Sequence, residues 1–131
     1  MHEISNIFSM QIEVSIGEVV DKWTILNIKF MKISEQVKFS HIVKERTYLN
    51  GVIPEDIIKD PLVEELQWVN KKLWVVEDRL RECEKVKVFD DYFIQLARSV
   101  YLLNDKRARI KKEINMKYGS EFIEEKSYTS Y

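Results

Sequence analysis

Three glycines and two prolines among 131 residues leave this chain few ways to turn. A protein built from many short strands needs turn residues at close intervals, so the scarcity favours a few long helices. Apolar periodicity agrees. Ser15 opens a helix with Glu18 three residues later, the spacing of a capping box. From Ile16 to about Val37, Val19, Val20, Trp23, Leu26, Phe30, Met31 and Ile33 recur at helical spacing. Ser40 to Asn50 reads as a short second helix stopped by Gly51, followed by the connecting loop GVIPEDIIKD. Asp60 and Pro61 stand as cap and first residue of a third helix, with Leu62, Leu66, Val69, Leu73, Val76, Leu80 and Cys83 on one stripe. A fourth runs from a cap at Asp90 or Asp91 to Tyr118 and stops at Gly119.

Both ends carry weaker signals. Phe8, Met10, Ile12 and Val14 alternate with polar residues, the pattern of a short strand with one buried face. The tail after Gly119 holds Phe122, Ile123 and Tyr128 close together, which predicts that it folds back, buries all three and brings Glu124 or Lys126 to the helices. The expected fold is therefore mainly α. It is an antiparallel helical bundle of three long helices and one short helix, with an N-terminal extended strand and a packed-back tail. Residues 1–131 are expected to form a single domain.

The formal net charge is -1, without the basic excess of a nucleic-acid binder. Cys83 has no cysteine partner, which suits a reducing cytoplasm, and one Cys with His2 and His41 is too little for a Cys/His zinc site. No apolar run approaches the roughly 20 residues of a membrane span, and the N-terminus lacks the charged and apolar regions of a signal peptide. No Gly-x-Ser-x-Gly and no phosphate-binding Gly-rich loop occurs.

Polar residues in apolar places are the informative feature. With about 100° of turn per residue, Asn104 and Arg107 fall inside the apolar arc defined by Phe93, Leu96, Ala97, Val100, Leu103, Ile114 and Tyr118. Arg98, Tyr101 and Asp105 lie along one flank of that helix. On the third helix Glu77 edges the stripe, with Asn70, Trp74 and Arg81 beside it; on the first, Asn27 is inside and Asp21 at the margin. Buried amides and ions left unpaired are costly, so these groups should pair with one another. One reading is a structural network, with Glu77 on Arg81 or Arg107 and Asp105 on Arg98. The other is a pocket between the third and fourth helices with Trp74 and Tyr101 as flat surfaces, suited to a phosphate or carboxylate ligand bearing hydroxyls. The basic run KRARIKK spreads round its helix and is explained by the C-terminal dipole. Trp68 and Val75, opposite the main stripe, could receive the N-terminal strand or the tail, or form a homodimer contact.

The segments SIGEVVDKWTILNIK, VNKKLWVVEDRLRECE, FDDYFIQLARSVYLLNDKRARIKKEIN and GSEFIEEKSY together resemble a family of small uncharacterised helical proteins of bacteria and phages. Its genes often lie near glycosyltransferase and surface-polysaccharide genes. The resemblance spans about Ser15 to Tyr128; Trp23 departs from the aliphatic residue expected after Asp21-Lys22. The middle motif also echoes a second family without an assigned role. The motif positions fall on Gly17, Glu18, Asp21 and Lys22, then Asn70, Trp74, Glu77, Asp78 and Arg81. They continue through Arg98, Tyr101, Asn104, Asp105 and Arg107 to Glu124, Glu125, Lys126, Ser127 and Tyr128. The resemblance implies context and not mechanism.

Two functions follow as expectations. The first is a cytoplasmic binding or accessory protein in sugar-polymer biosynthesis, without a cofactor. Its ligand would be an anionic sugar or nucleotide-sugar, or its partner a glycosyltransferase-type enzyme. The binding residues would be Asn70, Trp74, Glu77, Arg81, Arg98, Tyr101, Asn104, Asp105, Arg107 and Lys126. The second is a Mg-dependent enzyme similar to the all-α nucleotide pyrophosphohydrolases, using Glu18 with Asp21 and Glu77 with Asp78. Against it, Glu18 points outward on the helical wheel and no second paired carboxylate motif occurs.

Overall fold

The computed structural model describes residues 8–131, so His2 and the start of the N-terminal segment lie outside the described residues. The protein is mainly helical, and no strand occurs among the described residues. Five helices follow one another: α1 (Ile16–Lys32), α2 (Gln36–Val52), α3 (Glu55–Ile58), α4 (Pro61–Val86) and α5 (Asp91–Lys117). No helix among the described residues is long and apolar enough to cross a membrane.

Local chemistry sets each boundary. The Glu18 N–H donates to Ser15 Oγ at 3.1 Å, which starts α1 where the capping pattern puts it. α1 ends at Lys32, not Val37, because Glu35 caps a new helix. Its carboxylate accepts from the N–H groups of Lys38 (2.8 Å) and Val37 (3.3 Å), and these bonds hold it below the usual carboxylate range. Glutamate is not a favoured cap residue, so the break is hard to see in the sequence. α2 runs through Gly51 and stops at Ile53, whose φ of -85° and ψ of 122° are the extended conformation that Pro54 imposes on its predecessor. The stop expected at Gly51 is thus moved to the proline, and the loop after it holds the one-turn α3. α5 ends as the sequence predicts. Gly119 takes a φ of +66°, and the Ser120 N–H then reaches the Asn115 carbonyl at 2.8 Å in a Schellman closure.

α4 lies along α5, α1 packs against both, and α2 packs on α1. Asp60 at the start of α4 meets Lys117 and Tyr118 at the end of α5, while Arg79 Nη1 donates to Tyr92 Oη at 2.9 Å near their other ends, so these two helices run antiparallel. The core gathers Val20, Leu26, Ile42, Leu49, Leu66, Val69, Ile110 and Ile114 with their neighbours. α1 buries its apolar stripe and a polar face beside it: Val20 and Leu26 enter the core and Val19, Trp23 and Ile33 pack against it, as the spacing predicts. Gly17, Asp21 and Thr24 are buried beside Val20, Leu26 and Ile28, whereas Phe30 and Met31 are exposed. The N-terminal segment is a further correction. Phe8, Met10, Ile12 and Val14 are all exposed, and the segment pairs with no strand. A lone strand has no ladder to join, so alternation by itself buries nothing.

Asp60 carries a testable consequence. It is 5% exposed, caps Leu62, and its carboxylate accepts from Lys117 Nζ and from the Tyr118 hydroxyl. These two bonds, led by that of Lys117, lower its pKa from 3.8 to about 2. A depressed carboxylate contributes stability that is complete above its unfolded pKa and is lost as pH falls toward the folded one. Asp60→Asn should therefore be less stable than the parent at about pH 6, by about 1–2 kcal/mol. The gap in urea midpoint should narrow below about pH 4 and nearly close at about pH 2. A gap independent of pH would show that the charge of Asp60 does not matter.

Candidate functional site

α1 and α5 meet along a polar seam. Reading up α1, the Gly17 N–H donates to Asn115 Oδ1 at 2.6 Å, Glu18 Oε2 accepts from Lys111 Nζ at 2.9 Å, and Asp21 accepts from Arg107. The partners descend α5 as the sequence ascends α1, so these helices too are antiparallel. The seam is tight because residue 17 is glycine. A Cβ there would stand 2.6 Å from the Lys111 carbonyl oxygen and 2.9 Å from Asn115 Oδ1. The N–H groups of Ile16, Gly17 and Glu18 are taken by Ser120 Oγ, Asn115 Oδ1 and Ser15 Oγ, so the helix start offers no open anion site.

The inner half of the seam is a closed network. Arg107 grips Asp21 with two parallel bonds, Nε to Oδ1 at 2.9 Å and Nη2 to Oδ2 at 2.5 Å. Asn70 of α4 donates to Asp21 Oδ1 (2.9 Å) and Thr24 Oγ1 (2.8 Å), and Asn104 Oδ1 accepts from Arg107 Nη1 at 3.4 Å. The Asp21 side chain is only 3% exposed, and its bond raises the already high pKa of the guanidinium further. Among the described residues, no buried side-chain nitrogen or oxygen lacks a partner.

The outer half opens into a groove. Lys111, 11% exposed in its side chain, reaches Glu18 and then Glu124 of the tail at 3.5 Å. Lys126 binds the other oxygen of Glu124 at 3.2 Å, and Lys112 binds Glu125 at 3.0 Å. The Lys126 bond, aided by the charge of Lys111, holds the Glu124 carboxyl below its ordinary value. At the end of the tail Tyr131 donates to Asp105, which pushes the phenol pKa up, and its ring stands edge-on to Tyr101 with centroids 5.3 Å apart. Between tail and α5 lies a groove of 920 Å³. A second groove of 430 Å³ lies over Ile25, Ile28 and Leu73, walled by Trp74, Glu77 and Asp78. Asn104 and Arg107 line both.

The candidate residues therefore divide. Asn70, Trp74, Glu77 and Arg81 stand at the second groove, Tyr101, Asp105 and Lys126 at the first, and Asn104 and Arg107 at the shared wall. Arg98 is exposed and lines neither. The expected pairings change in part. Of the two partners expected for Glu77 it takes Arg81, on the surface, as one of the expected pairings had it; Arg107 takes Asp21, and Asp105 takes Tyr131 instead of Arg98. Glu18 does not point idly outward, and Lys111 is no mere partner of the helix dipole; each holds the other across the seam. A sequence signal for this existed in the acids at 18 and 21 and the bases at 107 and 111, matching i,i+3 and i,i+4 ladders.

The tail does return to the helices, but through its charges. Phe122, Ile123 and Tyr128 are 51%, 39% and 77% exposed, contrary to the burial expected of them. The contacts that hold the tail are those of Glu124, Glu125 and Tyr131 with Lys111, Lys112 and Asp105. Among the described residues, no three His, Cys, Asp or Glu side chains gather to hold a metal ion. The sequence model of DUF6165, a family of unknown function, matches residues 10–131. No curated protein and no solved structure matches the chain.

Proposed function

The chain belongs to DUF6165, a family of unknown function, and from the groove that this member carries we propose that it binds a small hydroxylated anion of the sugar-phosphate or nucleotide-sugar kind. The observation that carries the reading is the make-up of the tail groove. Three cations, Arg107, Lys111 and Lys126, each paired to a carboxylate of the fold that a bound anion would share or displace, stand with Glu18, Asp105 and Glu124 beside the rings of Tyr101 and Tyr131. Cations answer a phosphate or carboxylate, carboxylates and amides answer hydroxyls, and ring faces cover the apolar face of a sugar. The groove lies within the usual size range for ligand sites, about 300–1,000 Å³. The gene context implied by the family resemblance, near glycosyltransferases and surface-polysaccharide enzymes, fits an accessory protein that holds or hands over such a ligand.

The Mg-dependent alternative has less support. Glu18 and Asp21 would have to release Lys111 and Arg107 before they could hold the ion.

Titration calorimetry with sugar 1-phosphates and nucleotide sugars tests the reading on the full chain and on a chain cut after Ser120. The cut keeps the Ser120 hydroxyl that accepts from the Ile16 N–H. Because the removed aromatics are exposed, the melting temperature should fall by only about 2–3 °C, the effect of well under 1 kcal/mol. Affinity should fall at least about tenfold, the loss of one charge-assisted contact. Equal binding by both chains would remove the tail groove as the site.

A further inference from the structure

We propose that the two grooves are one bipartite site for a nucleoside diphosphate-linked sugar, with the base on Trp74, the diphosphate crossing at Arg107 and the sugar beside Tyr101 and Tyr131. This rests on the reading above and narrows it to one ligand class. Three observations carry it.

The first is adjacency: Asn104 and Arg107 form the wall common to both grooves. The second is a difference in lining. The tail groove sets Lys111 and Lys126 among the carboxylates Glu18, Asp105 and Glu124, whereas the second groove has no lysine and is floored by apolar side chains, with Arg81 paired to Glu77 at 2.9 Å. A neutral planar heterocycle suits the second groove, since the half-buried Trp74 offers a flat face, Ile25, Ile28 and Leu73 an apolar floor, and the carboxylates accept N–H and O–H groups from a base edge or ribose.

The third is Arg107 itself. A guanidinium has five N–H groups. Three are committed, two to Asp21 and one to Asn104. The other two lie on the terminal nitrogens, in a plane fixed by the buried carboxylate behind. A fork anchored in this way lines both grooves and presents its remaining donors without reorganising.

Calorimetry on the full chain distinguishes the parts. The probes are the diphosphates of uridine, thymidine, guanosine and adenosine, the same nucleotides linked to glucose, and glucose 1-phosphate. Trp74→Ala should weaken the best nucleoside diphosphate and its glucose conjugate at least about fivefold, the loss of one base stack, and leave glucose 1-phosphate unchanged. Tyr101→Ala should weaken the conjugate and glucose 1-phosphate and leave the free nucleoside diphosphate unchanged. Circular dichroism of each variant checks the fold; if Trp74→Ala is misfolded, Trp74→Phe should retain most of the nucleotide affinity. Binding of glucose 1-phosphate with none of the nucleotides would overturn the bipartite site and leave the sugar-anion reading standing. Nucleotide binding indifferent to Trp74 would overturn the assignment of the base. No binding by any probe would overturn both readings.

Discussion

Asp21→Ala should lower the unfolding free energy by about 3–5 kcal/mol, a large share of the total for a domain of this size. The side chain is 3% exposed and accepts from Arg107 twice and from Asn70 once, with Lys111 a further 3.9 Å away. Removing it leaves the part-buried guanidinium with Asn104 and the Asn70 amide with Thr24 in place of a buried carboxylate. Leaving a partner unpaired is what makes such a loss severe; replacing both members by apolar groups is far milder. The double variant Asp21→Leu with Arg107→Met should accordingly be more stable than Asp21→Ala, although it lacks two charges. Urea unfolding of the parent, the single variants and the double variant gives the comparison. A loss below about 1 kcal/mol for Asp21→Ala would mean that solvent reaches the seam and that the pair acts as a surface ion pair.

Much of the helical framework was legible because caps are local chemistry. Ser15, Asp60 with Pro61, and Gly119 each do in the fold what their spacing predicts, while the Glu18 carboxylate goes to Lys111 instead of closing the capping box. The break at Glu35 was not legible, because a carboxylate on a less favoured cap residue does the work usually given to Ser, Thr, Asp or Asn. The apolar stripe of α1 was legible, but the polar face buried beside it was not. There the neighbouring helices supply Arg107, Lys111, Asn115 and Asn70, so Gly17, Asp21 and Thr24 are buried as well. Periodicity found the misfit of Asn104 and Arg107 yet not their partner, since the relative register of two helices far apart in sequence leaves no mark on either wheel. For the same reason the expected single cleft emerged as two grooves, and Lys111, hidden in a basic run, was assigned to the helix dipole. The tail shows the limit of composition: Phe122, Ile123 and Tyr128 stay exposed while the acids between them and the final tyrosine make the contacts.

Gly17→Ala isolates what holds the seam together. By intrinsic propensity the change should stabilise α1, since alanine exceeds glycine in a helix interior by about 1 kcal/mol. Sterics oppose it. The new Cβ would meet the Lys111 carbonyl oxygen at 2.6 Å, and a backbone atom inside a helix cannot swing aside as a side-chain tip can. α1 must therefore withdraw from α5, which stretches the Gly17 N–H bond to Asn115 and draws Glu18 and Asp21 away from Lys111 and Arg107. Overpacking typically costs about 1–3 kcal/mol, and weakening the buried bonds behind it adds at least about 1 more. After the propensity gain is subtracted, a net loss of about 1–3 kcal/mol is expected. Gly51→Ala is the matched control. It also lies within a helix, but nothing stands within 4 Å of its added Cβ, so the propensity gain should appear undiluted, at about 0.5–1 kcal/mol. Urea unfolding of the two variants should thus move in opposite directions from the parent. If Gly17→Ala is as stable as Gly51→Ala, the two helices are not in the close contact on which the seam, and the groove at its edge, depend.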